Sequence, residues 1–210
     1  MNNELFQLLL SLRLGDGCFI TQNKTENKNY HVITSSINED YIEYKRNVLE
    51  HNGIFVRSMR CRSGYKKSSQ IFGISTRTSK EISLVGNLSI TDCINGLNMT
   101  GLIMLYIDDG SLHKNKHTMH LYCNSFNEDE VQALVEKIYE LLPQKNVSVC
   151  FDRKRDGRVF PYLYFPRCVV DEFNIHVRNF LIQNNINSLL YKTFLPSQTV
   201  ESISNSVLRI

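Results

Sequence analysis

The chain lacks any run of roughly twenty unbroken apolar residues, which a membrane-spanning helix would need; its apolar segment Leu5–Leu14 is too short and is interrupted by polar residues. It lacks a basic stretch ahead of that segment, where acidic Glu4 stands instead, so a secretory leader is not expected. The six cysteines, Cys18, Cys61, Cys93, Cys123, Cys150 and Cys168, include no C-x-x-C pair. That argues against a zinc site and against a closely spaced disulfide framework, and predicts reduced, mostly buried thiols; with no membrane span or secretory signal the expected place is the cytoplasm (nucleoid-associated) or an organellar matrix. Acidic residues are missing between Ile54 and Lys80, a stretch holding Arg57, Arg60, Arg62, Lys66, Lys67, Arg77 and Lys80. By contrast, Asn127–Leu142 carries five acidic residues against Lys137 alone, so a modest net charge of +3 conceals segregated positive segments.

What is present is present twice. A leucine-rich segment closing on aspartate and glycine occurs at Leu8–Gly17 (LLLSLRLGDG) and again at Leu102–Gly110 (LIMLYIDDG). Ser36–Asp40 (SINED) and Arg60–Gly64 (RCRSG) follow the first copy, and Ser125–Asp129 (SFNED) and Arg153–Gly157 (RKRDG) follow the second in the same order. The offsets of 93, 89 and 93 residues indicate one module, duplicated with a small loop difference. The expected organisation is a first half at 1–88, a linker at 89–97, a second half at 98–183 and an extension at 184–210 without a counterpart.

Each half reads as helix, two strands, helix, two strands, helix, which makes an α+β protein of two pseudo-symmetric αββαββα units. Asn3 is the expected N-cap of the first helix and Asn98 of its repeat, with glycines Gly17 and Gly110 closing them. Asn38 is expected to cap a helix that closes at Gly53, Thr78 with Glu81 to form a capping box, and Asn127 with Glu130 another.

Asp16 and Asp109 then lie at the C-terminal ends of two apolar helices, where the helix dipole opposes a carboxylate and a compensating cation is expected. If the helices pair about a pseudo-twofold axis, the carboxylates converge among exposed carbonyls. Carboxylate and carbonyl oxygens are the ligand set of Mg²⁺, which can generate hydroxide and stabilise a leaving oxygen in phosphodiester hydrolysis. An ordinary Asp-Gly turn is the simpler reading of either copy alone; recurrence at equivalent places weighs for function. Asp108 faces Gly15 in the other copy, so its backbone carbonyl, rather than its side chain, is the candidate ligand.

Alternating strand residues such as Arg60 and Arg62, or Arg153 and Arg155 with neighbouring Lys154 and Arg158, can line up along a phosphate backbone, the alternative being a solvated strand face. Tyr162, Tyr164 and Phe165 are expected to serve core and sheet packing rather than base stacking. His113, His117 and His120 have no helical metal spacing and read as a polar loop and strand.

These residues resemble a known family: LLLSLRLGDG and LIMLYIDDG look like the paired motifs of a single-chain LAGLIDADG homing endonuclease, across nearly the whole chain. The first motif departs from the consensus at Arg13 and Leu14, as in the divergent intron-encoded branch, and LLYKTFLP (Leu189–Pro196) resembles that branch's C-terminal extension. The resemblance implies motif helices packed at the interface of the halves and two sheets forming a DNA-binding saddle. It implies a monomer that cuts both strands of a long double-stranded DNA target with Mg²⁺, Mn²⁺ being a substitute, and so promotes mobility of its own intron or intervening sequence. Asp16 and Asp109 would be catalytic metal ligands, Gly15 and Asp108 would offer carbonyls, and Lys192 would polarise water or the scissile phosphate. Ser89–Leu97 has no lysine to match Lys192 in the first half. Two other uses of the fold remain open: an intron-RNA maturase and a non-cleaving DNA-binding regulator.

Overall fold

Asn2, one residue ahead of the expected cap, opens helix α1 (Asn3–Leu14) by accepting hydrogen bonds from the backbone N–H groups of Glu4 (2.7 Å) and Leu5 (3.3 Å). The computed structural model describes residues 1–21, 28–61, 70–113, 118–143, 146–154 and 157–195, with only the backbone at Arg60 and Cys61. The first half continues through β1 (Cys18–Thr21), β2 (Tyr30–Ser36), α2 (Glu39–His51), β3 (Val56–Cys61), β4 (Ile71–Thr76) and α3 (Lys80–Gly86). A short α4 (Ile90–Asn95) precedes the second half: α5 (Met99–Asp109), β5 (Gly110–Leu112), β6 (Met119–Tyr122), α6 (Glu128–Leu141), β7 (Ser148–Arg153), β8 (Val159–Phe165) and α7 (Arg167–Gln183). A 3-10 helix (Asn187–Lys192) closes the described chain.

The two antiparallel sheets repeat the same strand order, β1-β2-β4-β3 and β5-β6-β8-β7, which is the duplication expressed as topology. Helices α1 and α5 are apolar almost all round, and a helix of that kind must be buried. Every residue of α5 from Gly101 to Ile107 is buried, and α1 buries Leu8–Leu12 without a break.

Several expected boundaries shift. Helix α1 ends at Leu14, with Gly15 as its cap instead of Gly17, so Asp16 lies in the turn beyond the helix whereas Asp109 is the last residue of α5. Asn38 stands at the start of α2 without capping it; its side chain donates to Ser36 Oγ (3.3 Å) instead. Ser79, and not Thr78, caps α3, while the Asn127–Glu130 capping box is present in both directions. The linker is not plain loop. Ser89 caps α4, whose Cys93 and Ile94, with Leu97 beyond, are core residues, because apolar positions at i, i+1 and i+4 share one helix face. Of the described cysteines, Cys93 and Cys123 are buried, but Cys18 and Cys168 are exposed at the start of an edge strand and of a helix.

Candidate active site

The pairing of α1 with α5 is centred on Ser11 and Met104, residues 93 apart in sequence and therefore equivalents of each other. Ser11 Oγ donates to Leu8 O (2.9 Å) and approaches Met104 Sδ at 3.7 Å, so the pseudo-twofold axis passes between the two side chains. At one end Gln7 ties the halves together: its Nε2 donates to Gly96 O (3.0 Å) and its Oε1 accepts from Asn98 N–H (2.8 Å). At the other end the chains come closer still. A Cβ on Gly15 would lie 2.7 Å from Asp109 Oδ2 and 3.4 Å from Asp108 Cβ, so any larger residue there would force the carboxylate of the second motif to shift.

Asp16, Asp108 and Asp109 are thereby gathered with two lysines. Burial pushes the Asp109 carboxyl up to about 7, with Asp16 and Asp108 adding to the effect and Lys192 and Lys45 opposing it. Burial likewise raises Asp16 above the ordinary carboxylate range, followed by Asp108. Lys192 Nζ donates to Ile107 O (2.5 Å) and Gly110 O (2.8 Å), placing its charge on the C-terminal carbonyls of α5, where the helix dipole is negative. Burial lowers its ammonium pKa and the three aspartates oppose that change. The cation expected at these helix ends is present.

Asp108 behaves differently from its neighbour. Its Oδ1 accepts from Lys45 Nζ at 2.9 Å, and both side chains are withdrawn from solvent, at 2% and 0% exposure. The Tyr41 hydroxyl lies near enough to Asp108 to be pushed well above its ordinary pKa, burial being the larger cause. Neither that hydroxyl nor Asp108 Oδ2 has a partner that meets hydrogen-bond geometry among the described residues. Lys45 escaped the reading of the sequence, although it lies on the stripe of α2 that also carries Tyr41 and Val48, four residues before it and three after. A charged residue on an apolar stripe was the signal.

Among the described residues no group of three or more His, Cys, Asp or Glu is arranged to hold a metal ion. The donor set nonetheless suits a hard divalent cation: two carboxylates raised by burial and by neighbouring carboxylates are short of positive charge, and Mg²⁺ keeps several waters and uses few protein ligands.

The basic residues are placed less evenly. Register puts Arg57 opposite Ser75, in the same cross-strand row as Ile33 and Cys18, on the face of the first sheet opposite buried Val32, Thr34 and Ile74. Arg77 stacks on the Phe55 ring at 4.4 Å beside that sheet. In the second sheet Arg153 pairs with Val159 on the face that carries buried Leu163, although Val149, Phe151 and Val159 on that face are exposed at this end of the sheet; Lys154 forms an ion pair with Asp152. Arg158 lies over the Phe160 ring at 5.5 Å. Arg60 pairs with Phe72 in the backbone register, and Arg62, Lys66, Lys67, Arg155 and His117 lie outside the described residues.

The tyrosines divide. Phe165 is core, but Tyr162 and Tyr164 lie on the opposite face, where His120 meets them at ring distances of 4.8 and 5.8 Å and His113 at 5.8 Å. Strand alternation decides this: the buried positions Leu163 and Phe165 oblige their neighbours to point away from the core.

Solved structures share the fold, three of them as follows. The homing endonuclease I-WcaI bound to its DNA recognition sequence superposes with a TM-score of 0.66 at 16% identity, over 93% of this chain and 88% of that one. I-DmoI in complex with DNA and Mn gives 0.53 at 15%, over 92% and 99%. The N-terminal LAGLIDADG domain of DUF199/WhiA gives 0.52 at 12%, over 83% and 82%. No curated protein matches the sequence. The model of the LAGLIDADG DNA endonuclease family matches residues 6–173, a span that begins in α1, contains both motif helices with Asp16 and Asp109, and ends in α7. With two matching four-stranded sheets and paired motif helices already established, the chain belongs to the LAGLIDADG DNA endonuclease family.

Proposed function

We propose that the protein is a site-specific DNA endonuclease that acts as a monomer, cuts both strands of a long target and promotes the mobility of its own intron. The observation that carries this reading is the convergence of Asp16 and Asp109 from pseudo-symmetric helices upon one centre, with Gly15 cleared to allow it. Double-strand cleavage asks for two phosphodiester bonds to be addressed from one place, and a pseudo-twofold pair of carboxylates meets that need. The neighbours I-WcaI and I-DmoI are DNA-bound homing endonucleases, which supports DNA as the partner.

Asp16 and Asp109, with the Gly15 and Asp108 carbonyls, would hold Mg²⁺ or Mn²⁺, which would supply a hydroxide nucleophile and stabilise the departing oxygen. The chain does the rest. Lys192 holds a positive charge at the α5 terminus within reach of a phosphate, and Arg57 and Arg77 present cations beside the first sheet to steer and neutralise the backbone. The ring cluster His120, Tyr162 and Tyr164 offers hydrogen-bonding edges on the second sheet for contact with bases.

The test is a plasmid library with randomised inserts incubated with protein and Mg²⁺. Wild-type protein is expected to linearise a small subset, and Asp109→Asn to bind those sequences without cutting them. Failure of wild-type protein to cut, together with tight binding of intron RNA, would transfer the assignment to a maturase.

A further inference from the structure

Lys45 and Asp108 form a cross-connection that the duplication does not explain. Lys45 belongs to α2 of the first half; Asp108 belongs to the motif helix of the second. Their equivalents in the other half are Leu134, at the 89-residue offset of the SINED and SFNED segments, and Gly15, at the 93-residue offset of the motifs. The mirror-image contact therefore cannot exist. Leu134 is a core residue, and Gly15 has no side chain to reach it. A polar pair is thus buried on one side of the axis only.

A lysine with no exposure has given up its hydration and requires compensation. Here compensation comes from Asp108 Oδ1 at 2.9 Å, from Thr34 Oγ1 at 3.4 Å and from the face of the Tyr41 ring at 4.2 Å. All three cation contacts are inside the protein, so Lys45 is not available to DNA. Its effect must pass through Asp108, and Asp108 immediately precedes Asp109 on the last turn of α5. The same turn is held from the other side by Lys192, on Ile107 O and Gly110 O. The last turn of α5 is clamped between a lysine of the first half and a lysine of the C-terminal extension, while among the described residues the turn after α1 has no such pair of hydrogen-bonded lysines.

The geometry points to Lys45 as a positioning residue of the cleavage centre: by pairing with Asp108 across the interface of the halves, it fixes the last turn of α5 so that Asp109, and not Asp108, is directed past Gly15 toward the end of the first motif. The pair answers why two adjacent aspartates at this site have different roles. Asp108 is turned into the first half and spent on Lys45; Asp109 is directed past Gly15, with its Oδ2 in the space a Cβ would occupy. The pair also provides the first half with the buried cation that its sequence lacks at Ser89–Leu97, by a different route from Lys192.

This inference rests on the nuclease reading, so the experiment uses a DNA that wild-type protein has been shown to cut; absence of any such DNA defeats that reading, and the outcomes below concern Lys45 alone. Three variants are compared by single-turnover cleavage of each strand, affinity for uncut DNA in Ca²⁺, and thermal unfolding. Lys45→Met should slow both strands between about tenfold and a hundredfold, as a small misplacement of reacting groups does, with DNA affinity changed by less than about threefold. Asp108→Asn keeps the shape and an acceptor for Lys45, and should slow cutting by less than Lys45→Met. The double variant Lys45→Met/Asp108→Leu fills the space without charge; it should unfold near the wild-type temperature yet remain at least about tenfold slow. If Lys45→Met does not fold, the double variant decides. Recovery of cleavage along with stability in the double variant would reduce the pair to scaffolding. Asp108→Asn as inactive as Asp109→Asn would make Asp108 a ligand in its own right, and DNA affinity falling in step with rate would place Lys45 in binding.

Discussion

Helix α1 stops at Leu14 and reaches Asp16 only after the glycine cap, whereas α5 runs on to end at Asp109 itself and passes directly into β5. The first terminus is closed by backbone hydrogen bonds alone, Gly15 N–H to Ser11 O (2.8 Å) and Gly17 N–H to Leu12 O (2.9 Å), and the second is also held by charged side chains. Gly15 has no side chain where Asp108 has a buried carboxylate, and the 3-10 helix carrying Lys192 docks on α5 with no equivalent at α1. The first half instead continues into α4, an apolar turn packed into the core. Topology was duplicated faithfully and charge was not. Equivalent positions in a repeated fold therefore need not be equivalent in chemistry, and each aspartate has to be judged by what surrounds it.

The largest effects should come from the two aspartates themselves. Asp16→Asn and Asp109→Asn are each expected to lower cleavage about a thousandfold, a loss of several kcal/mol of transition-state stabilisation, while DNA binding is retained. Gels with each strand labelled separately would show the asymmetry: residual nicking of different strands by the two variants means the halves serve separate bonds. Identical shutdown of both strands by either variant would make the centre a single shared one. Lys192→Met comes next, with a loss of about a hundredfold in rate and little in affinity, since a preorganised cation near the reacting phosphate is removed. A collapse of affinity instead would give Lys192 a structural role.

Stability offers a cleaner contrast. Lys45→Met leaves Asp108 buried without its partner, and breaking such a pair costs about 3–5 kcal/mol. Leu134→Met, at the equivalent place in the second half, exchanges one apolar side chain for another of similar volume and should cost under about 1.5 kcal/mol. Similar costs in urea melts would remove the distinction. Asp109 provides the pH arm. Its carboxyl is raised to about 7 in the folded protein from 3.8, so the folded state binds the extra proton between those values and stability from this group falls as pH rises through that window. Above pH 7 the whole cost of the ionised carboxylate is present, and a divalent cation that binds the carboxylate offsets it. Millimolar MgCl₂ should therefore raise the melting temperature by more at about pH 8 than at about pH 5.5. Equal shifts at the two pH values would detach the metal from Asp109.

Much of this was legible in the sequence because it rests on local signals. The repeated motif, the alternation in the strands and the Asn127–Glu130 box are periodicities and caps, which short segments encode by themselves. The convergence of Asp16 and Asp109 followed from two apolar helices having to hide against each other. What escaped was pairing at a distance. Lys45 and Asp108 are 63 residues apart, and nothing near either one names the other. The tyrosines were misjudged for a related reason: which face of β8 meets the core is fixed by α6 and α7, not by Tyr162 and Tyr164 themselves. The linker helix α4 was missed because six residues carry too few turns for a period to show.

The smallest effect tests the sheets. Each phosphate contact made by a cation contributes about one unit to the slope of log affinity against log salt. Arg57 lies on the uncovered face of the first sheet, so Arg57→Ala should weaken binding and lower that slope by about one. Arg153 lies on the opposite face of its sheet, the one that carries buried Leu163, so its contribution should be a fraction of that. The second sheet would then grip DNA chiefly through His120, Tyr162 and Tyr164, whose contacts carry no counterion release and leave the salt slope unchanged. Measured over a salt series on one DNA, Arg57→Ala and Arg153→Ala separate these modes. If both variants lose a full unit, the hairpin tip of β7 and β8 reaches the backbone despite its register, and the two sheets hold DNA alike.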